Sequence, residues 1–157
     1  MNKAYLGSVD PQMGGGQNLP WAWGTFLNRS LVANAWLGFS PIILDSNYDF
    51  EIGSDGQSIL LPELGIWQFF VSQGQLATSI PANNFNGRFI VSIVGATEFL
   101  VSQRLLPSTM VDGSSVVGRA VDFSSVPRAY FMINVPNAQT GFREGDIPRW
   151  MLTKIGD

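Results

Sequence analysis

The sequence predicts an all-β fold: a jelly-roll β-sandwich of about eight to ten antiparallel strands behind an irregular N-terminal arm. Three observations lead there. Short runs rich in β-branched and aromatic residues recur from residue 30 onward with turn residues between them. No segment sustains the i, i+3, i+4, i+7 apolar stripe of a helix. Finally, so many short strands suit two packed layers better than one twisted sheet, which would curl or split.

In chain order, residues 7–20 combine Gly14-Gly15-Gly16 with Pro11 and Pro20 and hold few bulky apolar side chains, which reads as an arm. No Lys-Ser/Thr follows the triple glycine, so a hinge is expected there and not a phosphate cradle. Trp21, Trp23, Phe26 and Leu27 then crowd into seven residues. Such a cluster must dock, either as a cap on its own sandwich or as an anchor in a neighbour. The expected division is therefore an arm over residues 1–27 with docking aromatics, followed by a sandwich over residues 28–157.

Strands are expected over residues 31–39, 42–44, 48–52 and 58–61. In the run 66–72, Trp67, Phe69 and Val71 form a wholly apolar face, while the other face mixes Ile66 and Phe70 with Gln68 and Ser72. That strand should be central. Phe89 and Val91 repeat the alternation in 88–94, as does Phe99 in 97–103, with Gly95-Ala96 as a tight hairpin between them. Later runs cover 116–123, 130–135 with Phe131 and Ile133, and 150–155 beginning at Trp150. Trp67, Phe69, Val71, Phe89, Val91, Phe99, Phe131, Ile133 and Trp150 are the expected core or oligomer-interface residues.

Composition narrows the function. A chain of 157 residues can bury one real core. Only 13% of it is charged, against about 25% in average proteins, so part of the surface is expected to lie under a neighbour. A net charge of −3 and scattered Lys and Arg argue against nucleic acid and anionic membranes as partners. With no Cys and no His, thiol and imidazole catalysis and the usual zinc ligands are excluded. Cytosolic synthesis is expected, because no apolar run has the length of a signal peptide or a membrane span.

Few constellations could carry chemistry. Asp45, Asn47, Asp49 and Glu51 alternate, a pattern hard cations accept, yet the Gly and Glu positions of a calcium loop are not filled. A solvated strand face is the simpler account; calcium at Asp45, Asn47 and Asp49 is the one cofactor option, and otherwise none is expected. No carboxylate pair stands out for acid–base work, so no enzyme is expected. Exposed aromatics suit sugar stacking, with Trp36, Tyr48, Asn83, Asn84 and Asn137 as loop-borne candidates for a carbohydrate- or receptor-binding module. Asn28-Arg29-Ser30 matches a glycosylation sequon of the kind that arises often by chance.

The stretch 57–72, with Pro62, Gly65, Trp67 and Phe69, resembles the early strands of the tumour necrosis factor and complement globular-head superfamily, in which a strand ending in Pro-x-x-Gly precedes an aromatic-rich alternating strand. The runs 116–123, 130–135 and 150–155 follow in the same order. The resemblance implies a ten-stranded jelly roll assembled as a compact trimer. A short Gly-rich arm and the lack of Cys are similar to small trimeric jelly rolls of tailed bacteriophages. The expectation is a homotrimeric, non-enzymatic virion structural protein assembled in the bacterial host cytoplasm, at a tail tip or fibre. It would dock on other virion proteins through its arm and contact a host surface glycan; capsid decoration is the alternative location.

Overall fold

The structure, a computed structural model, describes residues 19–77, 88–94, 99–104, 110–111, 113–123 and 127–157. No helix occurs among them. One sheet contains β1 (Trp21–Phe26), β3 (Pro41–Ser46), β6 (Gly65–Val71), β11 (Ser114–Ala120) and β13 (Trp150–Gly156), in the order β11-β6-β13-β1-β3. The second contains β4 (Glu51–Ile52), β5 (Ile59–Leu60), β8 (Arg88–Val94), β9 (Phe99–Arg104) and β12 (Arg128–Asn134), in the order β4-β5-β12-β8-β9, with β2 (Leu37–Gly38) also paired to β12. β7 (Gly74–Gln75) and β10 (Met110–Val111) make a small separate pair. All these pairings are antiparallel. This is the expected jelly-roll sandwich.

Period-2 alternation builds it. In β6, Trp67, Phe69 and Val71 point inward and are fully buried, as are Trp150 and Leu152 of β13 and Phe131 and Ile133 of β12. Phe26, Phe39, Phe131 and Phe142 form an aromatic cluster with centroids 5.2–6.5 Å apart. Each buried indole N–H is satisfied: Trp67 Nε1 donates to the Glu63 carbonyl at 3.0 Å and Trp150 Nε1 to that of Thr25 at 2.7 Å.

Residues 21–26 correct the expected arm. They form a full strand between β13 and β3, with Ala22, Gly24 and Phe26 inward, so the sandwich begins before Trp21 and not after Leu27. Gly24 is required there, since a Cβ would sit 1.8 Å from the Ile42 carbonyl oxygen and 3.0 Å from the Trp150 ring. The expected strand over 31–39 is broken: Asn34 has φ 61°, and only isolated bridges and the two-residue β2 remain. The Gly95-Ala96 hairpin lies outside the described residues, though β8 and β9 pair as expected.

Two loops are held by side chains. Asn28 Nδ2 donates to the Phe142 carbonyl at 2.7 Å, and its Oδ1 accepts from the Phe142 N–H at 2.8 Å, so the sequon asparagine is a structural clamp. In the turn between β4 and β5, Gly56 takes φ 72° and Asp55 Oδ1 accepts from Gln57 N and Ser58 Oγ, both at 2.9 Å. The Gln57 N–H is the main reason the Asp55 pKa lies below its ordinary value; burial opposes the shift and Ser58 reinforces it.

The sandwich has two distinct ends. Residues 61–64 carry the chain from β5 directly into β6, and Ala120 pairs with Gly65, so Leu60, Gly65, Ala120 and Arg128 share the Gly65 end. β12 then runs seven residues to the Asn134 end, about 20 Å away, where β2 pairs with it.

Candidate functional site

A strand that buries alternate residues turns the others outward, and here the outward residues of the β11-β6-β13-β1-β3 sheet are largely apolar. Register aligns them. Phe70 of β6 lies beside Met151 of β13, and Met151 beside Trp23 of β1, so three large apolar side chains form one row at the roughly 5 Å spacing of cross-strand neighbours. Phe70 is 45% exposed and Met151 46%. Val117 and Ile155 extend the patch as exposed neighbours, and Trp21 and Ile66 as half-buried ones. Monomeric soluble proteins rarely leave a contiguous apolar face of this kind in water.

Polar groups rim the row. Asp45 pairs with Trp23 at one border and Ser115 with Phe70 at the other. The Arg149 guanidinium stands 5.9 Å from the centroid of the Trp23 ring, a cation–π contact. An apolar centre with a polar rim is the anatomy of a protein–protein interface.

Toward the Gly65 end the inner face carries one charged side chain, the only charged residue among the buried ones described, Lys154. Its Nζ lies 2.9 Å from Glu63 Oε1 and 3.5 Å from Asp157 Oδ1. Burial opposes the charge, but the hydrogen bond and negative charge of Glu63, with Asp157 behind it, outweigh that and hold the ammonium pKa above its ordinary value. Gly65, at φ 129°, makes room: a Cβ there would lie 2.6 Å from Lys154 Cε. The pair closes the mouth of the sandwich.

The structure sorts the expected site residues by burial. Of the residues expected in the core or an oligomer interface, Trp67, Phe69, Val71, Phe131, Ile133 and Trp150 are buried in the chain's own core. The side chains of Phe89, Val91 and Phe99 lie outside the described residues. Of the docking aromatics, Phe26 is core, Leu27 is exposed, and Trp21 and Trp23 belong to the outer face. Asn47, a calcium candidate, accepts from Trp21 N at 2.7 Å and donates to the Leu19 carbonyl at 3.1 Å, so its amide pins the start of β1. Asp45 accepts from the N–H of Ser46, and Asp49 is exposed. Among the described residues no group of three His, Cys, Asp or Glu is placed to hold a metal. The sugar candidates are divided: Trp36 adjoins β2 at the Asn134 end, as does exposed Asn137, whereas Tyr48 follows β3 near the Gly65 end and packs on Phe50. They make no single platform; Asn83 and Asn84 lie outside the described residues. Sequence reasoning missed Phe70 and Met151, whose only local signal was a mixed second face.

Comparison with solved structures gives the fold its kin. The chain is similar to PRD1 vertex protein P5, with TM-score 0.62 and 15% sequence identity over 90% of this chain and 100% of that one. It is also similar to murine APRIL at pH 8.0, with TM-score 0.59, 12% identity, and coverage of 85% and 98%. Eiger TNF from S. frugiperda follows with 0.52, 9%, and coverage of 90% and 95%. At such identities the likeness shows the fold alone, a jelly roll of the tumour necrosis factor type. No protein-family model and no curated protein matches the sequence.

Proposed function

We propose that the protein is a non-enzymatic structural component of a bacteriophage virion that assembles as a homotrimer through the outer face of the β11-β6-β13-β1-β3 sheet and docks on other virion proteins. The row Phe70–Met151–Trp23 carries the reading, because a contiguous exposed apolar face on a sandwich marks a surface that a partner covers. Burying a large apolar side chain is worth about 1.5–3 kcal/mol, and three copies multiply that through effective concentration. The fold likeness to a vertex protein supports a capsid position over a tail tip or fibre. Residues 1–18, at the head of the sandwich, are the docking arm in this reading.

Mass in solution tests it. The unaltered protein should weigh three times the 17.2 kDa chain. Met151→Lys should yield a single chain with an unchanged β-type circular dichroism spectrum. A wild-type protein that stays single-copy at high concentration would overturn the proposal.

A further inference from the structure

Two arginines meet on the outer face of the second sheet. In β12 the inward residues are Ala129, Phe131 and Ile133, so Asn134 belongs to the outer face. The register partner of Asn134 in β8 is Arg88, and the partner of Arg88 in β9 is Arg104. Directly opposed residues of an antiparallel pair share a face, which puts an amide and two arginines in one row at the Asn134 end. Trp36 extends that row on the other side of β12. Leu37 pairs with Ile133 and packs on the core, so the residue before it falls on the outer face beside Asn134, where Trp36 is 38% exposed. Its loop is fixed: Asn34 turns the chain at φ 61°, and the Asn34 N–H donates to the Val135 carbonyl at 2.8 Å. Trp36, Asn134, Arg88 and Arg104 therefore follow one another across about 14 Å, three spacings between neighbouring strands.

Like charges directly opposite each other on neighbouring strands destabilise a sheet. No Asp or Glu occupies this row or the next one inward, which runs Gly38, Met132, Ile90, Ser102, to offset the pair. Arg29 brings a third guanidinium beside Gly38. It donates to the carbonyls of Gly38 and Ser30, at 3.0 and 3.3 Å, and neither contact is with a carboxylate. In a chain with nine Lys and Arg and a net charge of −3, such a concentration is costly unless an anion shares it.

Arginines bind carboxylates and phosphates through paired N–H donors, an exposed indole offers a flat apolar face to a sugar ring, and an Asn amide both donates to and accepts from hydroxyls. We propose that this row is a binding site for an acidic saccharide, with the carboxylate or phosphate at Arg88 and Arg104 and a sugar ring on Trp36. The site lies on the opposite sheet from Phe70, Met151 and Trp23, so it stands apart from assembly through that face.

The test titrates the full-length protein by calorimetry with trigalacturonate, which carries carboxylates, with phosphorylated mannopentaose, and with neutral maltotriose. At least one acidic probe should bind and maltotriose should not; the probe that responds tells carboxylate from phosphate. Arg88→Gln and Arg104→Gln should each weaken binding about tenfold or more, and Trp36→Ala about threefold or more. Arg143→Gln, which removes an exposed charge from outside the row, should bind like the unaltered chain. Neither variant at Arg88 or Arg104 should lower the thermal midpoint, since each relieves a like-charge pair. Failure of both acidic probes to bind would overturn the proposal, as would equal weakening by Arg143→Gln or a lowered midpoint in the row variants. Inorganic phosphate bound as tightly as the saccharide, with Trp36→Ala silent, would reduce the row to an anion site, and an oligothymidylate bound as tightly would assign it to nucleic acid; either result overturns the saccharide.

Discussion

The two faces of the β11-β6-β13-β1-β3 sheet are built from the same kinds of side chain and have met different fates. Inward, Trp67, Phe69, Trp150 and Leu152 are sealed against the second sheet; outward, Phe70 and Met151 stay nearly half exposed beside Trp23, whose ring is met by the Arg149 guanidinium at the edge of the row. Phe69 and Phe70 are adjacent in sequence, and one is fully buried while the other is 45% exposed. Burial on the inner face is settled when the chain folds. On the outer face it can be completed only by association, so one strand serves stability with one set of positions and assembly with the other.

The sharpest way to break this contrast is to truncate the two phenylalanines separately. Phe69→Ala should cost about 3–5 kcal/mol of folding stability, the range for removing a large core ring and leaving a cavity. Phe70→Ala should change the stability of the single chain by about 0.5 kcal/mol or less while weakening assembly. Denaturant unfolding at low protein concentration reads the first quantity, and mass against dilution reads the second. Equal folding costs for the two variants would remove the distinction between the faces.

Most of the inner face was legible from sequence, because Trp67, Phe69 and Val71 alternate without interruption and a bulky apolar period of two fits little besides a buried strand face. β1 was not. In Trp21-Ala-Trp-Gly-Thr-Phe26 the large residues are mostly the outward ones, and small Ala22 and Gly24 face the core, so the run looks like a cluster of anchors when read alone. Gly24 is small because the Ile42 carbonyl and the Trp150 ring press on it, a constraint visible only once three strands are in place. The outer row was hidden for a related reason. Phe70, Met151 and Trp23 come from three distant parts of the chain, and Gln68 and Thr153 interrupt each strand's own outward pattern; register, not local period, brings them together.

Lys154 is the exception on the inner face, and it sharpens the comparison by asking what charge does there. Lys154→Met keeps the apolar stem and removes the ammonium. Because Glu63 is 35% exposed and can be rehydrated, the loss should be about 1–2 kcal/mol, below that of a fully buried pair. The pH dependence has a definite sign. The folded-state pKa of Lys154 is raised, so its contribution is complete below the unfolded value near 10.4 and disappears as pH rises through the folded one. Wild type and variant should therefore differ by a constant amount through neutral pH and converge in strong alkali. A difference that grew with rising pH would mean that the charge opposes the fold.

The smallest expected effect is on the outer rim. Arg149 rests its guanidinium over Trp23, and its backbone N–H is held by Ser72 Oγ at 2.8 Å, so the side chain can be changed without moving the strand. An exposed cation–π contact is worth about 0.5–1 kcal/mol, and Arg149→Gln should cost the single chain no more than that. The guanidinium also covers part of the Trp23 ring, so removing it uncovers apolar area at the edge of the row. If that row is the contact between copies, the variant should assemble no more weakly than wild type, and the salt dependence of assembly should stay as it was. Weaker assembly together with a loss of salt sensitivity would make the Arg149 charge part of the contact, and the outer face would then resemble a polar surface more than a core awaiting its second half.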